Sequence, residues 1–244
     1  MPKVVPSWMP LILVTAVVPF LGACSEASRL NGRCTGGDVA ACTQLGEMYA
    51  TGDRVARNMV RAAEMYEKAC SLGAADICNT LGEIYERGQE LEGGLTRAEA
   101  FFRVACNGGS APGCLNLGLV AASRDDKKHA AELFERSCTE GWLPGCHRLA
   151  MAFDQGEGVL QDLDRAIALY ERACADKYPD SCVAAGMLFM TGQRVERDVA
   201  RATRNFGTAL KVYDESCQAG SEADCKERNK LRTRVDILMA SQRP

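Results

Sequence analysis

Twelve cysteines of this 244-residue chain fall into six pairs of identical C-x7-C spacing, and no other feature limits the fold so tightly. The pairs are Cys34 with Cys42, Cys70 with Cys78, Cys106 with Cys114, Cys138 with Cys146, Cys174 with Cys182, and Cys217 with Cys225. Their first members lie 36, 36, 32, 36 and 43 residues apart, a period that belongs to stacked arrays. Structural zinc sites usually space their cysteines by two to four residues, so seven is a poor fit. The spacing is also neither C-x-x-C redox nor C-x-x-C-H haem chemistry. Local disulfides are the expected use of all twelve thiols, and they place the chain outside the cytoplasm. A bridge closing so short a loop contributes roughly 2–3 kcal/mol in the loop-entropy model.

The thirteenth cysteine, Cys24, ends the string Leu21-Gly22-Ala23-Cys24 behind an apolar run over residues 11–21. That run is too short to span a bilayer as a mature helix and fits the core of a secretory signal, with Lys3 its only flanking charge. Residues 1–23 are read as a signal peptide. Leu-Gly-Ala-Cys resembles the bacterial lipoprotein lipobox, which implies that Cys24 is lipidated and becomes the mature N-terminus. Ordinary signal cleavage, leaving an unpaired thiol, is the alternative. Ser25 follows where the lipobox family uses Asp for inner-membrane retention. The resemblance therefore implies the outer membrane of a bacterial envelope, facing the periplasm or exported to the surface. Residues 24–33 are expected to form a short tether, at most about 35 Å when extended.

Removing Lys3 leaves 28 basic against 32 acidic residues. No basic patch points to nucleic acid as a partner. Several positions recur in phase with the cysteines. A glycine stands three residues after the first cysteine at Gly37, Gly73, Gly109, Gly141 and Gly220, with Lys177 the exception. Four residues after the second cysteine come Gly46, Gly82, Gly118, Ala150 and Gly186; seven after it come Tyr49, Tyr85, Ala121, Phe153 and Phe189. Cys42, Leu45, Gly46 and Tyr49 share one helical face, and Gly52 suits the residue after the helix. A polar loop and a second helical pattern, Ala62, Ala63, Tyr66, Ala69 and Cys70, complete the unit. The recurring small residue permits close helix approach, and the aromatic one turn later is expected to fill space between units.

The strings Leu45-Gly46-x-x-Tyr49-x-x-Gly52 and Leu81-Gly82-x-x-Tyr85-x-x-Gly88 resemble Sel1-like repeats, an α/α solenoid class related to tetratricopeptide repeats. The loop from Gly156-Glu157-Gly158-Val159 to Arg165-Ala166 resembles them as well. The resemblance implies an all-α solenoid of helix-turn-helix repeats over 34–220, closed by a capping helix over 221–244. The cysteines resemble the secreted, cysteine-rich branch, which implies disulfides joining helix B of one unit to helix A of the next. The third unit is four residues short, consistent with a trimmed loop over residues 122–129. The fifth is seven residues long, nearly two turns, and a lengthened helix B accommodates it better than a loop insertion. In the last segment Leu231, Val235 and Leu238 form an apolar stripe opposite Lys226, Arg228, Lys230, Arg232 and Arg234. It reads as a cap with a polar outer face; a basic binding surface is the alternative.

Some cysteine-rich Sel1-like proteins are described as β-lactamases or penicillin binders. This chain has no Ser-x-x-Lys, Ser-Asp-Asn or Lys-Thr-Gly. Its two histidines, His129 and His147, have no partner at metal-ligand spacing, so no metal or cofactor is expected. A Ser-His-Asp set converges in space and is not excluded by sequence. The favoured reading is a lipid-anchored scaffold that holds an envelope protein, a peptide or a peptidoglycan fragment. A β-lactamase-like hydrolase and a purely structural envelope protein are the alternatives.

Overall fold

Local signals set the helix ends. The computed structural model describes residues 18–88 and 93–240, with side chains from residue 26 onward. Twelve α-helices and no strand occur among these residues. Five A/B hairpins form the body: α2 (Val39–Thr51) with α3 (Met59–Ser71), α4 (Ala75–Arg87) with α5 (Gly94–Asn107), α6 (Ala111–Ser123) with α7 (Lys127–Thr139), α8 (Leu143–Gln155) with α9 (Leu163–Ala175), and α10 (Pro179–Thr191) with α11 (Val199–Gln218). Before them α1 (Val18–Thr35) stands in the phase of a helix B, and after them α12 (Glu222–Ala240) stands in the phase of a helix A. Side chains of Asn58, Asp126, Asp162 and Asp198 cap four B helices by accepting the amide three residues on. Left-handed Gly52, Gly88, Gly156 and Gly192 end four A helices.

All six C-x7-C pairs are disulfides, with Cα atoms 4.4–4.9 Å apart. Each joins the end of one helix B to the first turn of the next helix A. Cys34 bonds Cys42 across the α1–α2 joint, Cys70 bonds Cys78 across α3–α4, and Cys106 bonds Cys114 across α5–α6. Cys138 bonds Cys146 across α7–α8, Cys174 bonds Cys182 across α9–α10, and Cys217 bonds Cys225 across α11–α12. Cys78, Cys146 and Cys182 are at most 1% exposed, so these bridges are sealed inside the joints and serve as staples rather than as accessible thiol chemistry.

Within a unit, the missing side chain in helix A makes room for an aromatic ring of helix B. A Cβ at Gly46 would lie 2.6 Å from the Tyr66 ring, and one at Gly82 would lie 2.5 Å from Phe102. Phe134 meets Gly118 and Phe206 meets Gly186 in the same way. The later aromatic meets the neighbouring unit, as expected, and also its own helix B. Tyr85 stacks on Phe101 and lies under Arg97, both from its own helix B, while its hydroxyl donates to Glu67 of the preceding unit. Arg61 over Tyr49, Arg165 over Phe153 and Arg201 over Phe189 repeat the cation–π contact. Successive B helices are tied by Arg97–Glu67 at 2.8 Å and Arg201–Glu171 at 2.6 Å.

The two irregular units keep their helices. The short unit joins α6 to α7 through Arg124, Asp125 and Asp126, with Asp125 left-handed. The long unit extends helix B: α11 has 20 residues where α9 has 13. Residues 24–33, expected as a short tether, are helical as part of α1. Leu30 is 1% exposed and packs in one core with Leu45, Met48 and Met65. At about 1.5 Å per residue, ten helical residues reach roughly 15 Å rather than 35 Å. The leader up to residue 17 and the side chain of Cys24 lie outside the described residues.

Candidate binding site on the A-helix face

Residues one, two and five positions after the second cysteine share the outward stripe of each helix A, because one and five are a helical turn apart. Between α8, α10 and α12 this stripe forms a groove of about 370 Å³. Val183, Ala184 and Met187 of α10 and Leu231 of α12 provide its apolar lining; His147, Asp180, Glu227, Lys230 and Arg234 provide polar groups. Further along the same face, Asn116 of α6 donates to Asn79 at 2.9 Å and to Glu83 at 3.3 Å, both on α4. Asn79 is buried, and it donates in turn to Glu83 at 2.9 Å.

Several groove side chains are fixed by their neighbours. The Tyr213 hydroxyl donates to Asp180 Oδ1 at 2.8 Å. Burial, then this bond to Asp180, pushes the phenol well above its ordinary value, so it stays protonated. His147 Nδ1 lies 3.0 Å from Ser181 Oγ, and its ring sits 5.5 Å from those of both Tyr170 and Tyr178. Burial holds the imidazole below its ordinary pKa, against the opposing pull of Asp180. A neutral ring with Ser181 as its partner is the resulting state near pH 7.

Here a serine, a histidine and an aspartate come together, a meeting that no spacing in the chain announces. Ser181 is 0% exposed. A hydroxyl sealed beneath the helix surface orients the imidazole and does not meet a substrate carbonyl. His129, at the start of α7, has a side chain 53% exposed and lies 3.5 Å from Glu132. Among the described residues no group of three or more His, Cys, Asp or Glu is placed to hold a metal ion.

The last described helix is α12. Leu231 is buried, with Val235 and Leu238 packed against the same core. Three of the five basic residues are committed: Arg228 and Arg232 both hold Asp214 of α11, at 3.0 and 2.9 Å, and Lys230 holds Glu227 at 2.7 Å. Asn229, exposed here, takes the position where the preceding A helices have Gly or Ala. A shallower hollow of about 680 Å³ lies along this outer face, beside Lys226, Asn229, Thr233 and Ile237.

The family model described as Sel1 repeat matches residues 39–73, 78–110, 113–142, 143–178 and 179–209. A Sel1 repeat protein from Oxalobacter formigenes superposes with a TM-score of 0.68 at 19% identity, covering 80% of this chain and 85% of that one. The protective antigen c5321 of uropathogenic Escherichia coli superposes with a TM-score of 0.66 at 22% identity over 85% of this chain. The chain spans 44% of that antigen's length. These likenesses concern the fold. A comparison with curated proteins gave no match. Five matched repeats, in register with the five observed hairpins, place the chain in the Sel1 repeat family.

Proposed function

We propose that this protein is a lipid-anchored envelope scaffold that holds a segment of another protein on its A-helix face. The observation that carries this reading is the groove between α8, α10 and α12. Its apolar lining is half-buried at Val183, Ala184 and Met187, and Arg234 in its lining forms no ion pair among the described residues. Elsewhere the recurring residues have structural roles: cysteines staple joints, glycines seat rings and arginines cover aromatics. Solenoids of stacked helix pairs present extended surfaces of this kind. The hydrolase reading gains no support, because the serine beside His147 is buried.

The anchor is part of the proposal. Cys24, inside α1, would become the first residue after processing and carry lipid, holding the first repeat close to the membrane, and Ser25 would send the protein to the outer membrane. Cys24→Ser should abolish incorporation of labelled fatty acid and release the protein from envelopes. An unmodified Cys24 in processed native protein would remove the anchor.

Affinity capture from native envelopes tests the binding role. Wild-type protein should retain a specific partner that Met187→Glu loses at least tenfold, with helix content unchanged. Equal capture by both, or turnover of a chromogenic cephalosporin by the pure protein, would contradict the reading.

A further inference from the structure

One phase of the repeat varies in an ordered way. Five residues after the second cysteine, the A helices α2, α4, α6, α8, α10 and α12 carry Glu47, Glu83, Leu119, Met151, Met187 and Lys230. Two carboxylates, three apolar side chains and a cation follow each other along one face. The adjacency is visible at both ends. Asn116 of α6 reaches Glu83 of α4, and the groove joins Met187 of α10 to Lys230 of α12. Leu119, Met151 and Met187 are each half-buried. They offer apolar surface without belonging wholly to the core.

From this order we infer that the A-helix face is a charge-graded track for one linear protein segment: basic at the end over α2 and α4, apolar in the middle, acidic at the end over α12. The inference rests on the binding role proposed above and specifies its partner. The acidic groups near the cationic end are already engaged. Asp180 accepts the Tyr213 hydroxyl, and Glu227 lies 2.7 Å from Lys230 Nζ. Lys230 is engaged by that same pair, so Arg234, one turn beyond it and in no ion pair among the described residues, is the cation left for the segment's carboxylates. At the other end, Glu47 is exposed, and Glu83 accepts only neutral amides from Asn79 and Asn116. Arg87 is nearby, but its Nε bonds the Glu83 main-chain oxygen at 3.2 Å. In the middle, Arg148 is the cation that borders the apolar stretch.

The geometry also sets a length. Packed helices lie roughly 8–10 Å apart, so α4 to α12 is roughly 35 Å along the face. An extended segment covers about 3.3–3.6 Å per residue, which makes the charged ends about ten residues apart. Charge order, rather than total charge, then fixes the orientation of the segment. Exposed end charges act mainly on the rate and register of association.

A display library of random peptides, each about 15 residues long to cover that span and the further step of roughly 8–10 Å to Glu47 on α2, tests this on the immobilised full-length, disulfide-bonded protein. The enriched peptides should have an apolar centre, acid on one side and base on the other. Lys230→Glu combined with Arg234→Glu changes two exposed residues. It should weaken those peptides at least tenfold and select peptides basic at both ends. Glu47→Lys should favour peptides acidic at both ends. Absence of enrichment, enriched peptides without charge order, or selection unchanged by these variants would overturn the inference. Displacement of the peptides by a peptidoglycan fragment at comparable concentration would also overturn it, by showing a different ligand class. A partner captured through Met187 whose peptides lack the charge order would end this inference and leave the scaffold role standing.

Discussion

At Lys177 the chain places a lysine where five other B-to-A turns place glycine. Its φ is +65°, in the same left-handed region as Gly73 at +95° and Gly109 at +91°. A left-handed L residue costs about 1–2 kcal/mol, partly offset by the extra unfolded-state freedom of glycine. Lys177 is exposed, so little packing is lost with its side chain. Lys177→Gly should therefore stabilise the protein by about 0.5–1 kcal/mol, read as a higher urea midpoint at unchanged slope. His147 supplies a prediction of pH dependence. Burial keeps its folded pKa below the ordinary 6.5, so the unfolded chain takes up a proton at higher pH than the folded one. The contribution of the neutral ring is complete above pH 6.5 and is lost as pH falls through the folded value. The fall in stability just below pH 6.5 should be shallower in His147→Gln, measured by denaturant titration across that window. The half-buried carboxylates with lowered pKa, Asp38 and Asp224, start from 3.8 and act at more acid pH.

Between elements, the glycine–ring contact decides how closely helix A and helix B approach. At Gly82 a methyl group would stand 2.5 Å from a Phe102 ring that is itself 0% exposed. Overpacking of this kind costs about 1–3 kcal/mol, more than the roughly 0.5–1 kcal/mol that alanine gains over glycine in a helix. Gly82→Ala should be destabilising by about 1–2 kcal/mol on those terms. Combination with Phe102→Leu should be clearly less damaging than the sum of the single changes, a double-mutant cycle that additive costs would refute. Sequence alone placed the small residues on the right helical face and identified close approach. It did not name the ring that arrives there. Helical period fixes a face but not the neighbour across a loop of variable length. A signal existed in Tyr66, Phe102, Phe134 and Tyr170, each four residues before a first cysteine. In the lengthened α11 Tyr213 keeps that phase before Cys217, whereas the ring that meets Gly186 is Phe206. The helical nature of residues 26–33 was missed for a different reason. Leu30 looks isolated in sequence, and only the packing of α2 and α3 against it makes a helix there worthwhile.

Across the whole molecule, six staples make the array a series of nearest-neighbour joints. The joints are unequal. The ten cysteines of the first five pairs are all at most 7% exposed, whereas Cys217 and Cys225 are both half-buried at the open end. Graded thiol reductant followed by alkylation should label Cys217 and Cys225 first; earlier labelling of Cys106 or Cys114 would contradict that order. The solenoid and its pairing were legible because each unit repeats the same constraint. The groove was less legible, since it depends on residues that do not repeat: Met187, Lys230, Arg234 and the His147–Ser181 pair. Everything proposed for function rests on the A-helix face carrying the partner. Photo-crosslinking in native envelopes measures this, with one reactive residue placed at Ala184 in the groove and another at exposed Ala168 on α9. A discrete crosslinked partner from position 184, absent from position 168, is the expected result. Equal crosslinking from both positions, or from position 168 alone, would show that the partner lies elsewhere.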